Sequence, residues 1–349
     1  MKKVFKIVYD LNKVLVIFAC ICAGMCVSSC VQDEDVPTPV EESVIGSPDD
    51  SNANTNATTR SIGTGIDQVP DNTWSTVSSN GSKVRIFKKG STSTYVIAVD
   101  LSTGAKVLPY YEFKSGHGNA TTSNPDPRFE KMLVSTFNLS SLQWYAVTNF
   151  GFFGDRSDDA STYSNTNDHA SFFLKKNGTL VTCGYGTYDS AEPQRRTLAI
   201  AGSAAAVVNG PGNIASCVPH YNSEVNTTWK VNLYNQIQSN YSSFSNIWVG
   251  LHPVNAQKRP TENIGRTFVG VRQQTPLTNG GPVYIYILVA AALQQSQAYN
   301  FLQDFGCDAS EIIMFDGSGS TQMNSVTSGV SLSSSDGRTV PLWLAVKLD

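Results

Sequence analysis

Residues 283–290, Val-Tyr-Ile-Tyr-Ile-Leu-Val-Ala, form an unbroken apolar and aromatic run. A run of that length, rich in Val, Ile and Tyr, predicts a strand covered on both faces, so the chain must place a layer on each side of a sheet. From Ala291 to Phe305 the period changes and sets Ala298, Phe301, Leu302 and Phe305 on one helical face, with Gly306 where a C-cap belongs. Glu311 to Phe315 reads as a second, short buried strand that runs into Asp316-Gly317-Ser318-Gly319-Ser320-Thr321. The stretch predicts a βαβ unit with a right-handed crossover between parallel strands. Its Gly/Ser turn then lies at the carboxyl end of the second strand, where open α/β sheets receive ligands.

Upstream, Lys83–Phe87 and Ser93–Asp100 read as strands, as do Trp144–Thr148, Asn246–Gly250 and Thr267–Val271. Lys176-Asn177-Gly178 between residues 171–174 and 179–182 signals a hairpin. Helices are expected over Pro127–Phe137, with Asp126 as N-cap and Pro127 at the first helical position, and over Glu224–Ile237. The Ala-rich segment Leu198–Val208 carries no decisive period. The expected fold is α+β (mixed α/β): a single domain over 73–349 with a large central mixed sheet and a C-terminal βαβ unit.

A net charge of −3 in 349 residues gives no electrostatic argument for nucleic acid as partner. His117, His169, His220 and His252 are scattered and no Cys-x-x-Cys follows residue 30, so neither a metal nor another cofactor is expected. Asp155, Asp158 and Asp159 lie in a long polar loop that reads either as a solvated surface or as a calcium site. Cys183, Cys217 and Cys307 permit at most one disulfide, which excludes a disulfide scaffold.

The N-terminus has its own logic. Lys2, Lys3, Lys6 and Lys13 precede an apolar run, Val14–Val27, that is too short to span a bilayer comfortably and closes on Ser28-Ser29-Cys30. Residues 1–29 thus read as a signal peptide. Val-Ser-Ser-Cys resembles a bacterial lipobox, which implies lipidation of Cys30 and an outer-membrane anchor in a Gram-negative cell. Gln32-Asp33-Glu34-Asp35 resembles a surface-export signal of lipoproteins of the Bacteroides group. Residues 30–72, poor in large apolar side chains and rich in Pro, Ser, Asn, Thr and Asp, read as a flexible tether.

Three motifs in order, Thr148-Asn149-Phe150-Gly151-Phe152-Phe153, Arg266-Thr267-Phe268-Val269-Gly270 and Asp316-Gly317-Ser318-Gly319-Ser320-Thr321, resemble those of the phosphodiester glycosidase family over residues 85–349. Phe150 and Ser318 stand where that family usually has glycine. The resemblance implies hydrolysis of a sugar-1-phosphodiester, such as an N-acetylglucosamine 1-phosphodiester, with release of the free sugar. It implies Asp316, Arg266 and Asn149 as catalytic residues, with Thr267, Gly317, Ser318, Gly319, Ser320, Thr321 and Gly151 around the substrate. The implied partner is a phosphorylated glycan. A non-catalytic surface glycan-binding protein on the same fold is the alternative.

Each residue also has a plainer reading. Asp316 either serves chemistry at the end of an apolar strand or caps the Gly/Ser turn. Arg266 either grips a phosphate through two hydrogen bonds or pairs within the protein. Asn149 orients a sugar hydroxyl or satisfies backbone groups. Phe150, Phe152 and Phe153 are core or sugar platform, with strand alternation placing Phe150 and Phe152 on one face. Glu262 is a second candidate carboxylate. A P-loop is excluded because no Lys follows the glycines, and an aspartic protease because no second apolar-Asp-x-Gly-Ser turn exists. The lipobox reading makes a prediction: Cys30→Ala moves the protein from the membrane fraction to the soluble fraction, read by detergent partitioning, with activity per molecule unchanged.

Overall fold

The computed structural model describes residues 65–121, 127–154, 168–184, 195–209, 244–256, 258–273 and 282–348. Its strands are β1 (Trp74–Asn80), β2 (Val84–Lys89), β3 (Thr94–Asp100), β4 (Lys106–Tyr110), β5 (Trp144–Asn149), β6 (Phe153–Gly154), β7 (His169–Ala170), β8 (Leu174–Lys176) and β9 (Thr179–Thr182). They continue with β10 (Arg195–Ala201), β11 (Ala204–Asn209), β12 (Asn246–Leu251), β13 (Ile264–Gln273), β14 (Val283–Leu293), β15 (Ile312–Phe315), β16 (Met323–Ser325) and β17 (Trp343–Lys347). Two α-helices occur among the described residues, α1 (Leu139–Leu142) and α2 (Gln295–Asp304).

The main sheet runs β1-β2-β3-β14-β13-β15-β12-β10-β11, with β8 and β9 added at β12. A second sheet runs β16-β5-β17-β4. The apolar run at 283–290 forms most of β14, and its alternation explains the layers. Ile285, Ile287 and Val289 face a core shared with Ala146, Leu344 and Val346 of the second sheet. Tyr286, Leu288 and Ala290 face the other way, onto Ala298, Leu302 and Phe305 of the α2 segment. Each Ile, Leu, Val and Phe among them contributes about 1.5–3 kcal/mol by leaving water. A third cluster, with Phe137, Trp144 and Trp343, closes the outer face of the second sheet.

The expected mixed α/β architecture is corrected by this topology. The fold is mostly β, and every strand pairing among the described residues is antiparallel. In the C-terminal unit β14 and β15 do run in the same direction, but they never pair. Strand β13 lies between them, antiparallel to each. The period change and the Gly306 C-cap locate the body and the end of α2, and Gly306 takes φ +89°, whereas Ala291–Leu293, read as the start of the helical period, extend β14 instead. The segment expected as a helix over Pro127–Phe137 is largely extended. Phe129 bridges to Phe113 and stacks on it at 5.3 Å, and Met132 bridges to Val340 before one short 3-10 turn at Val134–Thr136. Tertiary burial of Phe129, which is 0% exposed, overrides the capping signal.

Leu198–Val208 proves to be the β10–β11 hairpin. The Asn177-Gly178 turn has φ of +49° and +81°, the double left-handed pair that this hairpin requires. Gly65 and Gln68, ahead of β1, are already tied to the guanidinium of Arg272, which donates to Gly65 O and, at 3.0 Å, to Gln68 Oε1. The signal, Cys30, most of the tether, the Asp155–Asp159 loop, Cys217 and the 224–237 helix lie outside the described residues. Cys183 and Cys307 are both buried. No helix among the described residues is long and apolar enough to cross a membrane. Because Phe129 fills a dry core site, Phe129→Ala should cost about 3–5 kcal/mol, read from urea unfolding midpoints.

Candidate functional site

The site forms where the end of β5, the start of β13 and the turn after β15 meet. The side chain of Asn149, at the end of β5, is 0% exposed and reaches into both other segments. Its Nδ2 donates to Asp316 O at 2.8 Å, and its Oδ1 accepts from Thr267 Oγ1 at 3.1 Å and from Gln322 N at 3.0 Å. The backbone adds Asp316 N to Phe150 O at 2.9 Å. Asn149, Thr267 and Asp316 are therefore brought together, with Asn149 and Thr267 acting as pins beneath the turn.

Asp316 keeps partial exposure at the end of the buried strand Ile312–Phe315. Burial of its carboxyl raises the pKa to about 6, against hydrogen bonds from Ser320 and from the Gly317 N–H and the attraction of Arg338, all of which favour the ion. The turn is built by close backbone approach. A Cβ on Gly317 would sit 2.4 Å from Gly265 O, and one on Gly265 would sit 2.3 Å from Ser318 O. Ser320 N and Thr321 N fold back onto Gly317 O and Ser318 O. Ser318 takes φ +57°, a left-handed conformation that glycine adopts more readily than a residue with a Cβ. Ser320 and Thr321 are buried, and Thr321 Oγ1 has no hydrogen-bond partner among the described residues.

Arg266 goes elsewhere. It is 3% exposed, and its guanidinium donates to four backbone carbonyls: Leu293 O at 3.1 Å, Lys258 O at 2.9 Å, Arg259 O at 2.6 Å and Glu262 O at 3.3 Å. Strand alternation puts it on the opposite face of β13 from Thr267. It ties the 258–262 loop to the end of β14. Glu262 lies on that loop as an exposed partner of Arg259. Gly151 also has a packing role, since a Cβ there would meet Leu342 Cδ1 at 2.3 Å. The three phenylalanines diverge into three cores, because β5 ends at Asn149 and alternation ends with it. Phe150 packs edge-on against Phe315 at 5.6 Å and Trp248 at 6.3 Å.

Sequence reasoning missed the segment that covers the turn. Ser334 Oγ donates to Gly319 O at 2.6 Å, Gln322 Nε2 donates to Arg338 O at 2.7 Å, and Arg338 pairs with Asp336 at 3.2 Å. A signal was present: Asp336 and Arg338 are the charged residues between Asp316 and Lys347. A cavity of about 550 Å³ lies elsewhere, bordered by Ser102, Lys106, Asn177, Asn246 and Lys347. It is at the Lys347 end of β17, whereas Asn149 pairs with Trp343 at the other end. The described residues contain no group of three His, Cys, Asp or Glu placed to hold a metal ion.

No family model matches the chain. No curated protein matches its sequence. Among solved structures it is similar to the zebrafish N-acetylglucosamine-1-phosphodiester alpha-N-acetylglucosaminidase catalytic domain auto-inhibited by pro-peptide, at 13% identity and TM-score 0.41, over 79% of this chain and 82% of that one. It is also similar to a hypothetical protein from Synechocystis, at 10% identity and TM-score 0.37, over 78% of this chain and 61% of that one.

Asn149 lends itself to a direct test. Asn149→Ala leaves Thr267 Oγ1, Gln322 N and Asp316 O without the amide, so stability should fall by about 2–3 kcal/mol, read from chemical unfolding.

Proposed function

We propose that the chain hydrolyses a sugar-1-phosphodiester and releases the free sugar, with Asp316 as the working carboxylate. The observation that carries this reading is Asp316 itself. It is a partly exposed acid at the end of a buried strand, anchored through its own backbone by Asn149 and Phe150 and lifted by burial to about 6. The motif resemblance supports the substrate class. A departing phosphomonoester has a second pKa near 6, so it leaves with little proton assistance. What the reaction needs is a carboxylate that supports the positive anomeric carbon or activates water, and a cation for the phosphate.

Arg338, half-exposed and within electrostatic reach of Asp316, supplies that cation in this reading. Arg266 acts at a distance, as a positioning residue that fixes the 258–262 loop and the start of β13. Asn149 and Thr267 hold the turn, and Ser320 orients the carboxylate. The protein is an anchored surface hydrolase, with a phosphorylated glycan as partner and Cys30 as the lipidated residue.

The test is a panel of sugar-1-phosphodiesters with released reducing sugar as readout. Asp316→Asn should lower turnover by about 10²–10⁴-fold while the fold is kept. As a base, Asp316 makes kcat/KM rise with pH through about 6. Stability moves the other way. The folded-state pKa lies above the ordinary value of 3.8, so the native state binds more protons than the unfolded state between about 4 and 6. Wild-type stability should therefore fall as pH rises through that window, and Asp316→Asn should remove the fall. A wild type inert on the whole panel, yet retained on a glycan array, would transfer the assignment to a glycan-binding protein.

A further inference from the structure

A second charged cluster lies outside the Asp316 turn. Asp168, whose side chain is 0% exposed, accepts Lys114 Nζ at 2.5 Å and Arg128 Nη2 at 2.9 Å on the same oxygen, Oδ2. Arg128 Nε also donates to it, at 3.0 Å to Oδ2 and 3.2 Å to Oδ1. His169 Nε2 lies 3.6 Å from Oδ1. The backbone fixes all three segments. Lys114 N donates to Arg128 O at 3.1 Å, Phe129 N to Asp168 O at 2.9 Å, and Arg128 bridges to His169. Arg128 N donates to His117 Nδ1 at 3.3 Å, which leaves the ring proton of a neutral His117 on Nε2.

One carboxylate neutralises one cation, and among the described residues two converge on this one. Both heads are within hydrogen-bond reach of a single oxygen, so they stand at the spacing that one further oxyanion spans. They are not sealed in: the side chains of Lys114 and Arg128 are 30% and 35% exposed while their carboxylate is wholly covered. Of the five guanidinium N–H groups and three ammonium N–H groups, only a part is directed at Asp168. Surplus charge, donors at the surface and a rigid three-segment base are the requirements for binding a phosphate-class anion.

The cluster also has a defined relation to the Asp316 turn. Asp316 N bonds to Phe150 O, and four residues further along that segment Gly154 pairs with His169. We propose that Lys114 and Arg128, held by Asp168, form an oxyanion subsite that takes a phosphate-ester group of a bound ligand, distinct from any group bound at Asp316. This does not rest on the hydrolase reading.

The experiment titrates inorganic phosphate, and in a second arm a hexose 6-phosphate, into the full chain by calorimetry at constant ionic strength. Arg338→Gln serves as the background, to remove the cation beside Asp316. One equivalent of phosphate should still bind there. Adding Lys114→Gln, or Arg128→Lys, which keeps charge but loses the fork, should weaken it roughly tenfold or more. Tighter binding of the hexose phosphate than of the free anion supports an ester as the natural ligand, and the reverse order overturns that assignment. Absence of binding in the Arg338→Gln background, or affinity unaltered by both additional substitutions, overturns the subsite. Lys114→Gln retains the Arg128–Asp168 pair, and a thermal melt of each variant verifies that it is folded. Because no step involves turnover, failure here and failure of the hydrolase assay are separate results.

Discussion

The amide of Asn149 is the node on which the two sheets and the Asp316 turn depend. It is one neutral side chain with a donor and an acceptor, buried where three segments end, and each of those segments would otherwise present an unpaired polar group to a dry interior. Asn suits this role better than Asp or Gln. Asp lacks the donor needed at Asp316 O, and Gln would push the same groups one bond further into the joint. The turn can then pack at van der Waals limits, with Gly265 and Gly317 in backbone contact, because the amide holds the distance between them.

Charge around the turn follows from the same geometry. Arg266 is the cation carried by the motif on β13, yet it lies on the far face of that strand and exhausts most of its donors on carbonyls. Arg338 arrives from a segment that folds over the turn and is steadied by Asp336 and by Gln322 beneath it. A carboxylate raised by burial beside a half-exposed arginine remains able to change protonation in the neutral-to-acid range, which a fully paired acid such as Asp168 cannot do. There, burial pushes the carboxyl up, but Arg128 and Lys114 outweigh it and hold the pKa below the ordinary value.

Much of the local structure was legible in the sequence because it depends on short-range signals. The apolar run, Gly306, the Asn177-Gly178 hairpin and the strands that lead to Asn149 and Asp316 lie where those signals put them, and α2 starts four residues later than its period suggests. Sheet order was not legible. A buried strand followed by a helix and another strand implies the same local pattern whether the strands pair or flank a third, and β13 precedes both. The 127–137 segment was misread because Asp126 and Pro127 are sound helix openers, while the force that extends it is a contact with Phe113, out of reach of a local pattern. The same limit hid Arg338, whose relevance comes from the chain crossing back over the turn.

The order of the strands also bears on how the molecule comes into being. Strands β13, β14 and β15 with α2 are contiguous in the chain, so their pairings close short loops at low entropic cost. The second sheet is different: β17 must enter between β4 and β5, which lie about two hundred residues away. Asn149 pairs with Trp343 across that junction. The Asn149 node is thereby tied to the pairings of longest sequence separation among the described strands.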